Sequence, residues 1–426
     1  GNGNTAVGHD SLNACTTGAN NVAVGNEALK ANTTGAQNTA VGAYTADAIT
    51  TGVYNTAIGE QSMRGVTTGS NNTALGKSSL QTSTANDNTA IGFFALNANT
   101  TGTQNVGVGC SALSDATTAN NNTAVGFEVM KLTTSGSFNT AVGLVALYTN
   151  TTGDENTAFG YRALYSATTA SGNTALGSGC GDNITTGNNN TAVGYQALDA
   201  CTTGYSNTAI GNNALGSMTT NIENTAVGTG SQSAVTTGAY NTSIGKDSGN
   251  NITTGRFSVN LGAYARPSAN NTDNEIIIGY SAIGKGSNTG FISPNGGAVY
   301  QGNNSSSWST TSDRRIKKNI TNNTTGLDKI NQITVRNFEY KTETEIATDN
   351  PELADVLESA VVNKEGTQLG VIAQEIESIL PDVVKTASTG VKSVDPDNLT
   401  WYLINAVKEL SAENNALKAR LDAAGL

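Results

Sequence analysis

A serine hydroxyl is a weak nucleophile and acts only beside a base. The chain holds one histidine, His9, inside a repeated segment, which nearly excludes a Ser-His-Asp arrangement. A different pairing stands in Ser312-Asp-Arg-Arg-Ile-Lys-Lys-Asn319, where Lys317 follows Ser312 by five residues. A lysine serves as base once burial brings its pKa toward neutrality. By its residues alone, the segment also fits a basic, solvated turn at the start of a domain.

What must position this segment differs on its two sides. From Asn4 to Asn241 a 17-residue unit recurs fifteen times, its opening Asn falling at 4, 21, 38, 55, 72, 88, 105, 122, 139, 156, 173, 190, 207, 224 and 241. The unit reads Asn-Thr-Ala-Val-Gly, two variable residues, Ala-Leu, three variable residues, Thr-Thr-Gly and two more. Only the step from 72 to 88 is short, by one residue. So strict a period marks a solenoid, with one coil per repeat. Asn-Thr-Ala-Val-Gly reads as a short strand, the Gly as a corner needing positive φ or close backbone approach, and Thr-Thr-Gly as the closing turn. Asn and Thr columns then stack in register and satisfy one another. Fifteen coils at the ~4.8 Å strand spacing give a rod about 70 Å long.

Each coil is expected to bury one Val and one Ala-Leu step, a marginal core against chain entropy. Several chains sharing that core, three around an axis, would remedy this. Charge sets the other boundary: residues 1–311 hold 9 Lys+Arg and 15 Asp+Glu, whereas residues 312–426 hold 13 and 18. A net charge of −11 spread over both parts argues against a nucleic-acid-binding surface. No apolar run reaches the length of a membrane span. Cys15, Cys110, Cys180 and Cys201 are scattered, without zinc or disulfide spacing. No cofactor or metal is expected. The chain opens within a repeat, as a piece of a longer protein would.

Near the C-terminus, residues 398–421 read as a helix with a heptad seam of Leu403, Val407, Leu410, Asn414, Leu417 and Leu421. Its steps alternate four and three, and Asn414 sits where a buried polar residue fixes register.

The repeats resemble the head domains of trimeric autotransporter adhesins, and Asn274 to Asn288 is similar to one of their turns. Four landmarks mark the remainder: Ser312 to Asn319, Val335-Arg-Asn-Phe-Glu-Tyr-Lys341, Gly370-Val-Ile-Ala-Gln-Glu375 with Leu380-Pro-Asp-Val-Val384, and Trp401 to Leu410. In this order they resemble the C-terminal intramolecular chaperone of phage endosialidases, tail fibres and tailspikes. That resemblance implies a domain that drives trimerisation of a β-rich fibre and then cuts itself off. Its Ser-Asp-x-Arg-x-Lys motif falls on Ser312, Asp313, Arg315 and Lys317. It implies attack of Ser312 on the Thr311 carbonyl, an ester resolved by water, and products 1–311 and 312–426. Asp313 and Arg315 would orient the loop or support the assembled site. The resemblance turns the choice away from the solvated turn.

Two further features of the repeats admit a chemical reading. Asp182 and Asp199 occupy one position in consecutive coils, at a separation a retaining glycosidase uses, but their column is variable. Phe93, Phe127, Tyr161 and Tyr195, each just after a corner Gly, could contact a glycan or fill a groove between chains.

The expectations are therefore a mainly β chain. It comprises a trimeric parallel β-solenoid over 1–265, a degenerate repeat and neck over 266–311, and a small α+β chaperone over 312–426 ending in a long helix. As function, they give a tail fibre or tailspike segment of a virion, assembled in the host cytoplasm and extracellular in the mature particle. Its partners would be two further copies, upstream tail components and a host surface glycan or protein receptor, without membrane insertion. A polysaccharide-degrading tailspike and a cellular trimeric adhesin are the rival readings.

Overall fold

The computed structural model of the chain describes residues 1–293, 299–301, 309–310, 314, 317–350, 365–386 and 391–425. It divides into two compact units, Gly1–Thr311 and Ser312–Leu426.

The first unit is a mainly β parallel solenoid. Seventeen three-residue strands run from β1 (Thr5–Val7) to β17 (Ile276–Ile278), each paired in parallel with the next in unbroken register. The ladder thus extends two strands past the fifteenth Asn. β18 (Gly290–Ile292) adds a further parallel rung, and β19 (Val299–Gln301) and β20 (Ser309–Thr310) follow antiparallel.

The coil from Asn139 to Glu155 shows how the sequence closes on itself. β9 (Thr140–Val142) carries Ala141 fully buried between partly exposed neighbours. At the corner, Gly143 has φ +131°, and a Cβ there would lie 2.6 Å from the carbonyl oxygen of Gly160. Both reasons for a glycine therefore hold. Val145, Leu147 and Glu155 all adopt left-handed φ, 51°, 51° and 58°. Such conformations cost non-glycine residues about 1 kcal/mol each and persist where surroundings over-determine them. Here each N–H bonds across coils: Val145 to Phe127 O at 3.0 Å, Leu147 to Ala163 O at 2.9 Å, Glu155 to Ser137 O at 3.1 Å. On the turn, Thr151 donates from both N (2.8 Å) and Oγ1 (2.9 Å) to Thr168 O.

The core corrects one expectation. The apolar residue ending each strand is not the buried one. The central Ala goes inside with the Ala-Leu step, and Ala141, Ala146 and Leu147 are fully buried. The strand-final column faces outward, with Ile58, Leu75, Phe159, Leu176, Ile210 and Ile244 each exposed by 38–46%. A strand sends alternate residues to opposite faces; a coil this narrow has room opposite its Leu for a methyl, not a Val.

The second unit is α+β. Two antiparallel pairs, β21 (Arg336–Phe338) with β22 (Gln368–Gly370) and β23 (Val384–Thr386) with β24 (Lys392–Val394), accompany α1 (Leu327–Ile330), α2 (Glu343–Asp349), α3 (Ala373–Ile379) and α4 (Pro396–Ala424). Ile376, Leu380 and Val383 form its buried centre, with Ile333, Val371, Val394, Leu399 and Tyr402 packed on them. Asp395 caps α4, Pro396 stands in its first turn, and Gly425 ends it at φ 72°. The expected helix over 398–421 is present and longer by a few residues at each end.

Candidate functional site

Thr311, Ser312, Asp313 and Arg315 lie outside the described residues. Lys317 is described: its N–H donates to the Arg314 carbonyl at 3.2 Å, closing a turn. Its side chain is exposed among the described residues.

The landmarks that follow in sequence meet in the fold. Arg336 of β21 makes a bidentate pair with Glu375 of α3, Nε to Oε2 at 3.2 Å and Nη2 to Oε1 at 2.9 Å. Gly370 pairs with Arg336 across the two strands, and a Cβ at Gly370 would meet the Phe338 ring at 3.0 Å. The Leu380 to Val384 landmark forms a 3-10 turn at Pro381–Val383. Asp382 there accepts the Tyr402 O–H at 2.7 Å, which, with burial, raises the pKa of the phenol. Lys385 pairs with Asp395 at 2.7 Å and holds that carboxyl below its usual range.

One face of α4 is occupied within the unit. Ala406 is buried, and a Cβ on Gly326 would lie 2.5 Å from its nitrogen. Asn405 donates to the carbonyls of Asn323 and Thr325, and Glu409 accepts from Leu327 N at 2.6 Å. The other face carries the expected seam. Leu403, Val407, Leu410, Leu417 and Leu421 are 41–66% exposed, and Asn414 is exposed among them.

On the solenoid, Arg162 lies against the Tyr165 ring at 4.1 Å and grips Asp182 bidentately at 2.9 and 3.0 Å. Tyr165 in turn stacks on Tyr148, centroids 5.3 Å apart. Burial, then Asp182, raises the Asp199 carboxyl. Asp182 is thus committed to an ion pair, which disfavours the two-carboxylate reading. Sequence reasoning missed Arg162 because it stands 20 residues from its partner; the period, which places it one coil away, was the available signal. Phe93, Phe127, Tyr161 and Tyr195 are 48–54% exposed. Cys180 and Cys201 are buried, their thiols pushed up to about 12 and about 11. Among the described residues no cluster of three or more His, Cys, Asp or Glu could hold a metal, and no helix is long and apolar enough to cross a membrane.

The fold and these surfaces define a β-solenoid followed by a small α+β unit whose long helix carries an apolar seam exposed among the described residues. A family model described as the chaperone of endosialidase matches residues 312–385, so it takes in the Ser312 to Asn319 segment and the landmarks through Val384 and stops before α4. No curated protein and no solved structure matches the chain.

Proposed function

We propose that this chain is a segment of a viral tail fibre or tailspike whose C-terminal unit trimerises the solenoid, directs its folding and then cuts itself off at Thr311–Ser312. Ser312 is the nucleophile and Lys317 its base, with Asp313 and Arg315 in support. The mature solenoid is a structural, host-surface-binding element of the virion, joined to upstream tail components.

One observation carries this reading. Among the described residues each unit leaves a row of apolar side chains exposed or half-exposed: the strand-final column, with Ile58, Leu75, Phe159, Leu176, Ile210 and Ile244 the most exposed, and the Leu403 to Leu421 stripe. Seams this long are rare on a monomer and mark interaction surfaces. The family match over 312–385 supports the chaperone and self-cleavage assignments. Parallel, non-local strand pairing folds slowly, and a slip by one coil costs little. A detachable clamp that assembles first sets the register, and cleavage makes the result irreversible.

A denaturing gel and intact mass of wild type beside Ser312→Ala and Lys317→Ala test this. Wild type alone should split between Thr311 and Ser312, with trimers by native mass. Three uncut trimers would make the unit a permanent clamp; uncut monomers would remove the shared core too.

A further inference from the structure

The four exposed aromatics of the solenoid are placed at a regular interval. Phe93, Phe127, Tyr161 and Tyr195 follow the corner glycines Gly92, Gly126, Gly160 and Gly194. Each closes every second strand: β6 (Thr89–Ile91), β8 (Thr123–Val125), β10 (Thr157–Phe159) and β12 (Thr191–Val193). Their backbone column is hydrogen-bonded from coil to coil. Phe93 O accepts from Ser111 N at 2.8 Å, Phe127 O from Val145 N at 3.0 Å, Tyr161 O from Gly179 N at 2.9 Å and Tyr195 O from Asn213 N at 3.0 Å. The intervening Cys110, Leu144 and Ser178 are not aromatic. Two coils set successive rings about 10 Å apart, too far to stack on one another. In this they differ from Tyr148 and Tyr165 one coil apart, whose faces cover each other.

We infer that this strip binds an extended, neutral, β-linked polysaccharide lying along the solenoid, with Phe93, Phe127, Tyr161 and Tyr195 each meeting every second sugar ring. In an extended β-1,4-linked chain the ring faces alternate, so equivalent faces recur once per disaccharide, close to the two-coil spacing. Aromatic side chains offer such apolar faces. Glu128, Arg162 and Gln196 follow three of the rings with the same period and offer donors and acceptors for sugar hydroxyls. The charges beside the strip are already compensated, Glu128 by Lys131 and Arg162 by Asp182. With Asp199 near, the strip favours a neutral polymer over an anionic one. This rests on the reading of the solenoid as a surface-binding element.

Native electrophoresis of the full chain through gels containing hydroxyethyl cellulose or glucomannan tests it, with dextran and polygalacturonate as comparison polymers. Wild type should be retarded by the first two only. Tyr161→Ala should weaken retardation about tenfold, as loss of a buried aromatic anchor does. The double change Tyr161→Ser with Ser178→Tyr, which keeps composition and shifts one ring by one coil, should lose as much. Four results overturn the inference: no retardation by either β-linked polymer, equal retardation by dextran, undiminished binding by the double variant, or a changed native mass in Tyr161→Ala, which would make the strip a contact between copies. Self-cleaved trimers that ignore the polymers defeat this inference alone. Uncut monomers that are retarded support the strip and defeat the assembly reading.

Discussion

Asn139 donates twice to the side-chain oxygen of Asn122, from its backbone N at 2.9 Å and from Nδ2 at 3.1 Å. The same Nδ2 reaches Gly153 O at 2.9 Å, and Asn139 Oδ1 accepts the same two bonds from Asn156. One buried amide thus ties three coils together, and its neighbours repeat the pattern along the column. Asn139→Ala leaves Asn156 N–H unpaired, removes one of the two bonds that Gly153 O accepts (the other comes from Asn150 Nδ2 at 3.0 Å), and should cost about 2 kcal/mol. Asn139→Asp sets a carboxylate against two acceptors. Because the folded state disfavours its charged form, the deficit should shrink as pH falls and the group protonates. Thermal unfolding of the solenoid at pH 7 and pH 4 measures both; an unchanged midpoint in Asn139→Ala would show that the ladder contributes nothing.

Gly143→Ala combines a strained φ with a Cβ 2.6 Å from a backbone oxygen that cannot move without its coil. We expect a loss above about 3 kcal/mol, expressed as insoluble protein or a lowered unfolding midpoint. A soluble variant with wild-type stability would show that the glycine column tolerates a methyl.

Val193 lies in the outward apolar column of β12. Val193→Asp should leave the coils intact, because the residue faces away from the core, but should abolish trimers by burying unpaired carboxylates at the axis. Circular dichroism and native mass separate the two effects. Trimers of normal stability would exclude this face as the seam.

Lys385 lowers the pKa of the Asp395 carboxyl, and the bonds Asp395 accepts from Asp397 N and Asn398 N act in the same sense. Its folded pKa lies below the unfolded value, so its stabilisation is present above about pH 4 and lost as pH falls through the folded value. Asp395→Asn keeps part of the cap and loses the ion pair. The variant should melt lower than wild type at pH 7, and the gap should close as pH falls through the folded value. A gap that does not narrow on acidification would assign the effect to something other than this carboxylate.

The repeat was legible in sequence because each of its columns answers a demand that recurs in every coil: Asn for the ladder, Gly for the corner, Thr for the turn. The helix of α4 was legible for a similar reason, since its heptad spacing is a local pattern. The family match over 312–385 falls where three of the four landmarks stand, whereas Ser312 itself lies outside the described residues.

Period, strand positions and the order of units could thus be read directly from the residues, because short-range chemistry repeated in register sets them. Which face is the inside depends on the closed coil. Alternation states that Ala141 and Val142 point to opposite sides, and coil width decides that the methyl goes in and the Val out. Tertiary structure alone also put Leu147 in the left-handed region, against its local preference, because a hydrogen bond to the next coil holds it there. It brought Arg162 to Asp182 and Arg336 to Glu375 as well, for contacts between coils and between distant strands depend on closure of the chain, which no local propensity encodes.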